Sequence, residues 1–153
     1  LMPSVEAKLL QALSIQDNED ILLVGSGSGY LSSCVSLLGN RVHAIDIDNN
    51  FIEASKKNSN YDFLKRNILY ECMDIMNNLS IIGKYKVIVF TSSIDNLDLI
   101  TDYMNNQSRA FVFIGKELEP FKRGMLITKS KSSSLLKEHI VETDVKPIII
   151  KND

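Results

Sequence analysis

The segment Ile21-Leu-Leu-Val-Gly25-Ser-Gly27-Ser-Gly29-Tyr30 decides the fold expected for this chain. Its first four residues form a continuous apolar run, which is typical of a strand buried on both faces. Three of the chain's 7 glycines then fall within one turn, at positions 25, 27 and 29. Glycine permits positive φ and lets main-chain N–H groups approach a ligand closely. The segment therefore predicts a buried strand, a tight turn and the start of a helix.

The rest of the chain continues this alternation. Helices are predicted over 4–13, 31–38, 49–58 and 95–104, and strands over 21–24, 41–47, 68–71, 86–90 and 110–114. A helical turn is considered for 61–66. Further strands are predicted over 125–129, 135–141 and 145–150, with connections too short for helical crossovers. This pattern predicts a single α/β domain over 1–153: a Rossmann-like, mostly parallel sheet with an antiparallel β-rich C-terminal edge and helices on both faces.

Composition excludes several classes of protein. The 153 residues carry 17 basic and 19 acidic side chains, a net charge of −2, which argues against strong non-specific binding of nucleic acid. No apolar run is long enough to span a membrane, and no signal peptide is recognisable. Cys34 and Cys72 lack a C-x-x-C spacing, which argues against a zinc site or a disulfide scaffold and favours the cytoplasm. The sequence predicts no oligomeric state.

The glycine turn indicates a nucleotide site, because open α/β sheets bind nucleotides at the carboxyl ends of their strands. A phosphate-binding loop would end in Gly-Lys-Ser/Thr, which is missing here. A dinucleotide fingerprint would place its third glycine at position 30, where this chain has Tyr30. The observed spacing is G-x-G-x-G. A purely structural turn without a ligand is the alternative interpretation.

Acidic residues follow the next two predicted strands. Asp46 lies at the end of the second strand, where a carboxylate can accept hydrogen bonds from two ribose hydroxyls. The alternative role is a helix N-cap, which Asp48 fits better. Asp74 follows the third strand and could face an adenine amino group, or it could be a solvated loop residue.

The remaining polar residues provide few further candidates for a functional site. Thr91 and Ser92 end the fourth strand, where a strand-end cap is one interpretation of their polar side chains. His43 lies in an apolar strand and is interpreted as a structural histidine, and His139 as a surface residue. No Ser-His-Asp or Cys-His set is evident.

Together these residues resemble a known family. The run Val24-Gly25-Ser-Gly-Ser-Gly-Tyr30, followed by Asp46 and Asp74, resembles the class I S-adenosylmethionine-dependent methyltransferases. Within that class the chain looks most similar to protein-L-isoaspartate O-methyltransferase, through the Gly-Ser-Gly-Tyr ending, the strand at 85–93 and the Pro-containing strand at 145–149. The similarity extends in order over nearly the whole chain.

The resemblance implies a function and a site. It implies a class I methyltransferase sheet, S-adenosylmethionine as cofactor, no metal, and methyl transfer to an isoaspartyl carboxylate of a damaged protein or peptide. The implied cofactor-binding residues are Gly25, Ser26, Gly27, Ser28, Gly29, Tyr30, Asp46, Ile47, Asp74, Ile75 and Thr91. In a methyltransferase, Thr91 and Ser92 would be the polar groups best placed near the transferred methyl, and no residue is assigned as catalytic.

The chain also departs from the family pattern. Leu23 stands where the family usually has an acidic residue that helps to hold the methionine end of the cofactor. Leu1 stands where the family has a serine ahead of the first helix. The family also has an upstream segment that helps to bind the substrate peptide, and this segment is not part of the sequence. The alternatives are therefore a catalytically degenerate relative that acts through a partner, or a methyltransferase acting on a small molecule such as a corrinoid precursor. A nicotinamide oxidoreductase is less compatible with Tyr30.

Overall fold

A computed structural model describes residues 1–61 and 67–151. In these residues the helices are Pro3–Leu13 (α1), Tyr30–Ser36 (α2), Asn49–Asn58 (α3) and Asp98–Thr101 (α4). The strands are Ile21–Val24 (β1), Val42–Asp46 (β2), Ile68–Cys72 (β3), Val87–Ile94 (β4), Arg109–Ile114 (β5), Lys122–Lys129 (β6) and Leu135–Thr143 (β7). Two 3-10 turns, Ile75–Asn77 and Leu79–Lys84, connect β3 to β4.

The seven strands form one sheet in the order β3-β2-β1-β4-β5-β6-β7. The pairs from β3 to β5 are parallel, whereas β6 and β7 are antiparallel to their neighbours. The predicted sheet with an antiparallel C-terminal edge is confirmed. Because the chain continues from β1 to β2 on one side and returns to β4 on the other, a crevice opens at the carboxyl ends of β1 and β4.

Both faces of the sheet are covered by apolar side chains. Leu23 and Val89 belong to a buried cluster that includes Leu9 of α1, whereas Leu22 and Ile88 belong to a second cluster on the other face. Successive strand residues point to opposite faces, so two covered faces require the unbroken apolar runs of β1 and β4. Full burial of one such side chain stabilises the fold by roughly 1.5–3 kcal/mol.

Helix α1 is fastened to the sheet at its C-terminal end. The Arg109 Nε donates a 2.6 Å hydrogen bond to the Leu13 carbonyl, and the same guanidinium forms a 2.7 Å ion pair with Glu19. Both charged side chains are less than a fifth exposed. The start of β5 and the segment between α1 and β1 are thereby held together.

The helix predicted over 95–104 is wrong in extent, because only Asp98–Thr101 is α-helical. Its start is set by Asn96, whose side-chain oxygen accepts a 3.0 Å hydrogen bond from the Asp98 N–H. The Lys129 ammonium donates to the carbonyls of Thr101 and Met104, at 3.0 and 2.9 Å. A side chain from β6 thus satisfies the last carbonyl of the helix and a carbonyl of the segment that follows it.

The strand predicted over 145–150 is also wrong. This segment forms a single parallel bridge, between Pro147 and Ser93 at the end of β4. Proline has no N–H to extend a ladder. The Ser93 N–H donates to the Lys146 carbonyl at 2.9 Å, and the Ile148 N–H donates to the Ser93 carbonyl at 2.8 Å. We call residues 144–149 the tail segment; these bonds lay it along the end of β4.

The remaining differences concern boundaries. Helix α2 ends at Ser36, because the Leu37 and Leu38 N–H groups bond three residues back and tighten the chain before Gly39. Strand β4 continues to Ile94 past an irregularity between Val89 and Ser93, and β6 begins at Lys122. Most of the turn considered at 61–66 lies outside the described residues.

Candidate functional site

A cavity of about 580 Å³ opens at the carboxyl ends of β1, β2 and β4. This is the position that the crossover of the sheet predicts for a ligand. Its walls come from the glycine turn, the residues after β2 and β3, the end of β4 and the tail segment. The lining residues are Leu1, Val24, Gly25, Gly27, Asp46, Ile47, Phe51, Met73, Asp74, Ile75, Thr91, Ser92, Asp144, Val145, Lys146, Pro147, Ile148 and Ile149.

The three glycines of the turn have positive φ, each in a different setting. Gly25 has φ +91°, and a Cβ there would lie 2.1 Å from the Thr91 Oγ1. Gly29 has φ +88°, and its Cβ would lie 2.9 Å from the Ser55 Cα in α3. Gly27 has φ +54° with no atom within 4 Å of its Cβ position. Two glycines therefore allow close packing, and Gly27 leaves open space at the cavity.

Asp46 joins the turn to β2. One carboxylate oxygen accepts a hydrogen bond from the Gly27 N–H and the other from the Asp48 N–H, both at 3.1 Å. A carboxylate has about four acceptor positions, so capacity for further donors remains. Asp48 caps α3 by accepting from the Asn50 N–H at 2.8 Å, which is the role its position in the sequence favoured.

Asp74 has a structural role at the cavity wall. Its carboxylate accepts hydrogen bonds from the Met76 N–H at 3.0 Å and the Asn77 side-chain amide at 2.9 Å. These bonds hold the 3-10 turn after β3, so Ile75 is buried beside the cavity. Asp74 is half-buried rather than a solvated loop residue.

Thr91 ties β4 to the glycine turn. Its hydroxyl lies 3.1 Å from the Val24 carbonyl and 2.9 Å from the Gly25 carbonyl, and donates to them. Ser92 lines the cavity next to it. The end of β4 thus fixes the turn as well as contributing polar groups to the wall.

Four predicted site residues lie outside the set that lines the cavity. Ser26 is buried, and its hydroxyl accepts from Ser55 at 3.2 Å. Ser28 is exposed, Gly29 caps α2, and Tyr30 is 60% exposed on the first turn of α2. Their side chains or backbone shape the loop, and their direct contact with a cofactor stays a prediction.

Sequence reasoning missed Phe51, Met73 and the tail segment as cavity residues. Phe51 lies on α3 one turn from Asp48, where apolar spacing indicates only a packing face. The tail segment is distant in sequence from the turn and approaches it only because β7 returns the chain to this edge of the sheet. No local pattern carries that information.

The remaining candidates are structural. The His43 ring hydrogen-bonds to Tyr85 at 2.8 Å and to Glu71 at 2.7 Å, consistent with a structural histidine, and His139 is exposed. Both cysteines are free; Cys34 is half-buried and Cys72 is exposed. No group of three metal-ligating side chains occurs within residues 1–61 and 67–151. Over the same ranges, no helix is long and apolar enough to cross a membrane.

The sheet order and a ligand cavity at its glycine turn define the class I methyltransferase fold. A solved protein-L-isoaspartate O-methyltransferase superposes with a TM-score of 0.79 at 20% identity, over 95% of this chain and 47% of that one. A Plasmodium falciparum protein described as the same enzyme, solved with S-adenosyl-L-homocysteine, superposes with a TM-score of 0.73 at 17% identity, over 95% and 73% of the two chains.

The sequence defines the family more narrowly. Residues 2–141 match the family Protein-L-isoaspartate(D-aspartate) O-methyltransferase, and the chain belongs to that family. A 44-residue stretch is 43% identical to the protein-L-isoaspartate O-methyltransferase of Jannaschia sp. (strain CCS1), covering 29% of this chain and 20% of that protein. The chain thus spans about half the length of the first of the two solved relatives and matches a fifth of the curated one.

Proposed function

We propose that this chain is an S-adenosylmethionine-dependent methyltransferase that methylates isoaspartyl carboxylates of damaged proteins. Family membership over residues 2–141 supports the reaction class. The single observation that carries the proposal is the junction of the glycine turn with Asp46, because the 3.1 Å bond from the Gly27 N–H aligns an acidic side chain on the wall of a 580 Å³ cavity.

The residues present fit the cofactor. The cavity volume lies within the range of about 300–1,000 Å³ that is usual for small-molecule sites. The open space at Gly27 leaves room for a ligand against the backbone. We assign the ribose hydroxyls to Asp46, the adenine to the apolar walls at Ile47 and Ile75 with Asp74 beside its amino group, and the methionine end to Gly25 and Thr91.

The reaction requires little proton transfer by the protein. When bound, the cofactor supplies an electrophilic methyl group on its sulfonium. The acceptor carboxyl has a pKa near ~4 and is ionised at neutral pH, so no general base is needed. Catalysis then rests on orientation of the two reactants, which can supply roughly 7–11 kcal/mol. Ser92, next to Thr91 at the end of β4, is the polar side chain that we expect to orient the acceptor.

Cofactor binding is tested by titration calorimetry with S-adenosylmethionine and S-adenosylhomocysteine. Asp46→Asn should weaken the affinity at least about tenfold, because hydrogen bonds to a charged group contribute about 1.5–3 kcal/mol. Asp48→Asn is the matched control, since asparagine is an equally good N-cap and the residue is two positions away. No binding of either compound by the wild-type chain at millimolar concentration would remove the enzyme hypothesis.

Methyl transfer is tested separately with an isoaspartyl peptide and its aspartyl isomer. We expect methyl release from the first only. Cofactor binding without transfer to any peptide would favour the degenerate relative.

Three further assignments belong to this proposal. The organisation as one domain is supported by a single sheet that includes all seven strands of the described residues. The cytoplasm as location is supported by two free cysteines. A protein or peptide partner is supported by the family, and the net charge of −2 argues against nucleic acid as a substrate.

A further inference from the structure

A second cavity, of about 360 Å³, adjoins the first at the end of β4. The two cavities share Pro147 and Ile148, so the tail segment is the wall between them. A substrate peptide that reaches across the tail segment would therefore place one residue in the first cavity and a neighbouring side chain in the second. Nothing in the proposed function uses this second space.

The second cavity combines apolar walls with negative charge. Ile94, Leu99 and Ile148 contribute apolar surface, and the side chains of Asp95 and Glu117 contribute two carboxylates. Neither carboxylate has a hydrogen-bond or ion-pair partner within the described part of the chain. None of the residues that line this cavity is Lys or Arg.

Ser93 provides a second and independent observation. It lines the same cavity and is only 1% exposed, and its hydroxyl has no hydrogen-bond partner among the described residues. Its main-chain N–H and carbonyl are already used by the tail segment. An unpaired buried hydroxyl is costly, by roughly 1–3 kcal/mol, unless a ligand or water satisfies it.

Backbone contacts join the two segments that carry Asp95 and Glu117. The Gly115 N–H donates to the Ile94 carbonyl at 3.1 Å, which fixes the loop after β5 against the end of β4. The Lys122 ammonium is buried and donates to the carbonyls of Lys116, Glu117 and Glu119. With its donors used by the backbone, this lysine stiffens the loop and leaves the Glu117 carboxylate available.

We propose that this second cavity binds the side chain of a lysine or arginine that flanks the acceptor residue of a protein substrate. The apolar walls suit the methylene stem, the two carboxylates suit the cationic head, and the Ser93 hydroxyl supplies a further acceptor. The inference rests on the proposed function, since it places the acceptor in the first cavity.

The test measures equilibrium binding of fluorescent isoaspartyl peptides to the full chain without cofactor, so that it does not depend on turnover. In these peptides each position that flanks the isoaspartyl residue is occupied by lysine, norleucine or glutamate in turn. Norleucine keeps the stem and removes the charge. At one flanking position we expect lysine to bind about fivefold more tightly than norleucine, the upper end for partly exposed ion pairs, and glutamate to bind weakest.

Two variants distinguish binding in the second cavity from a general effect of negative charge on peptide binding. Asp95→Asn combined with Glu117→Gln should abolish the lysine preference, whereas Asp17→Asn, an exposed carboxylate before β1 at the opposite edge of the sheet, should retain it. Equal affinity for lysine and norleucine peptides, no binding of either, or a preference that survives the double variant would overturn the proposal. A lysine preference without methyl release would overturn only the proposed function.

Discussion

At the scale of single residues, Gly25 is a position where the backbone tolerates little change. Gly25→Ala would add a Cβ 2.1 Å from the Thr91 Oγ1 at φ +91°. The hydroxyl would have to leave the Val24 and Gly25 carbonyls that it now bonds. We expect a loss of about 2–4 kcal/mol in the free energy of unfolding, measured by urea denaturation, and loss of detectable cofactor binding.

Gly27→Ala is the control for Gly25→Ala. Its φ is also positive, at +54°, but no atom lies within 4 Å of the new Cβ. The expected cost is the conformational one alone, about 1–2 kcal/mol. Equal destabilisation by the two alanines would contradict the contact with Thr91 as the cause.

Leu23 departs from the family pattern, and the structure shows that its side chain belongs to the hydrophobic core. Its side chain is fully buried in the core cluster that includes Leu9 and Val89. Leu23→Glu would place an unpaired carboxylate there, so we expect a loss of at least about 3 kcal/mol in unfolding free energy and no gain in cofactor affinity. Leu23→Met, of similar volume, should cost less than about 1.5 kcal/mol. If Leu23→Glu instead gave a stable protein that binds the cofactor more tightly, this interpretation would be contradicted.

At the scale of elements, the ion pair between Arg109 and Glu19 predicts a pH dependence. The hydrogen bond from Arg109 lowers the pKa of Glu19 below its ordinary value of 4.5, although burial opposes the shift. A lowered folded-state pKa stabilises the protein fully above the unfolded-state pKa, and this stabilisation is lost as pH falls through the folded-state pKa.

Glu19→Gln should therefore lower the unfolding free energy by about 1–2 kcal/mol at pH 7 and by less at pH 3. Urea denaturation at the two pH values measures the difference. Arg41→Gln is the control, because the Arg41–Asp20 pair has an arginine side chain that is 75% exposed and should contribute less than about 1 kcal/mol. A Glu19 effect that is independent of pH would rule out the ion pair as its source.

Elements that are organised locally could be predicted from the sequence, and elements fixed by distant contacts could not. Helix α3 matches its prediction over Asn49–Asn58 because Asp48 caps it from the adjacent position. Helix α4 is shorter than its apolar spacing predicts, and the carbonyl of its last residue, Thr101, accepts a hydrogen bond from Lys129 of another strand. The tail segment has strand-like residues, but its pairing is set by Ser93 and by the missing N–H of Pro147.

The candidate site follows the same rule. The glycine turn and Asp46 could be located because each lies at the end of a strand that its own apolar residues predict. Phe51 and the tail segment could not, because their approach to the cavity depends on how α3 and β7 pack. Ser26 and Ser28 share the pattern of the turn but lie outside the cavity wall, which spacing alone does not reveal.

At the scale of the whole molecule, a ligand that binds only the folded chain must raise its thermal stability. At about 100 times the dissociation constant, S-adenosylmethionine should add about 2.7 kcal/mol. For a chain of this length that corresponds to a rise in Tm of roughly 5–10 °C. Differential scanning fluorimetry measures the shift, and it should shrink in Asp46→Asn at the same ligand concentration. An unchanged wild-type Tm would contradict binding in the first cavity.

The tail segment also has a consequence for biosynthesis. The glycine turn leaves the ribosome early, but the wall formed by residues 144–149 follows more than a hundred residues later. Since translation proceeds from the N-terminus, the nascent chain can present β1 and its turn well before the opposite wall exists. The complete cavity therefore forms only after β7 has been synthesised and paired, so a ligand that contacts the wall at residues 144–149 can stabilise the fold only from that point of synthesis onward.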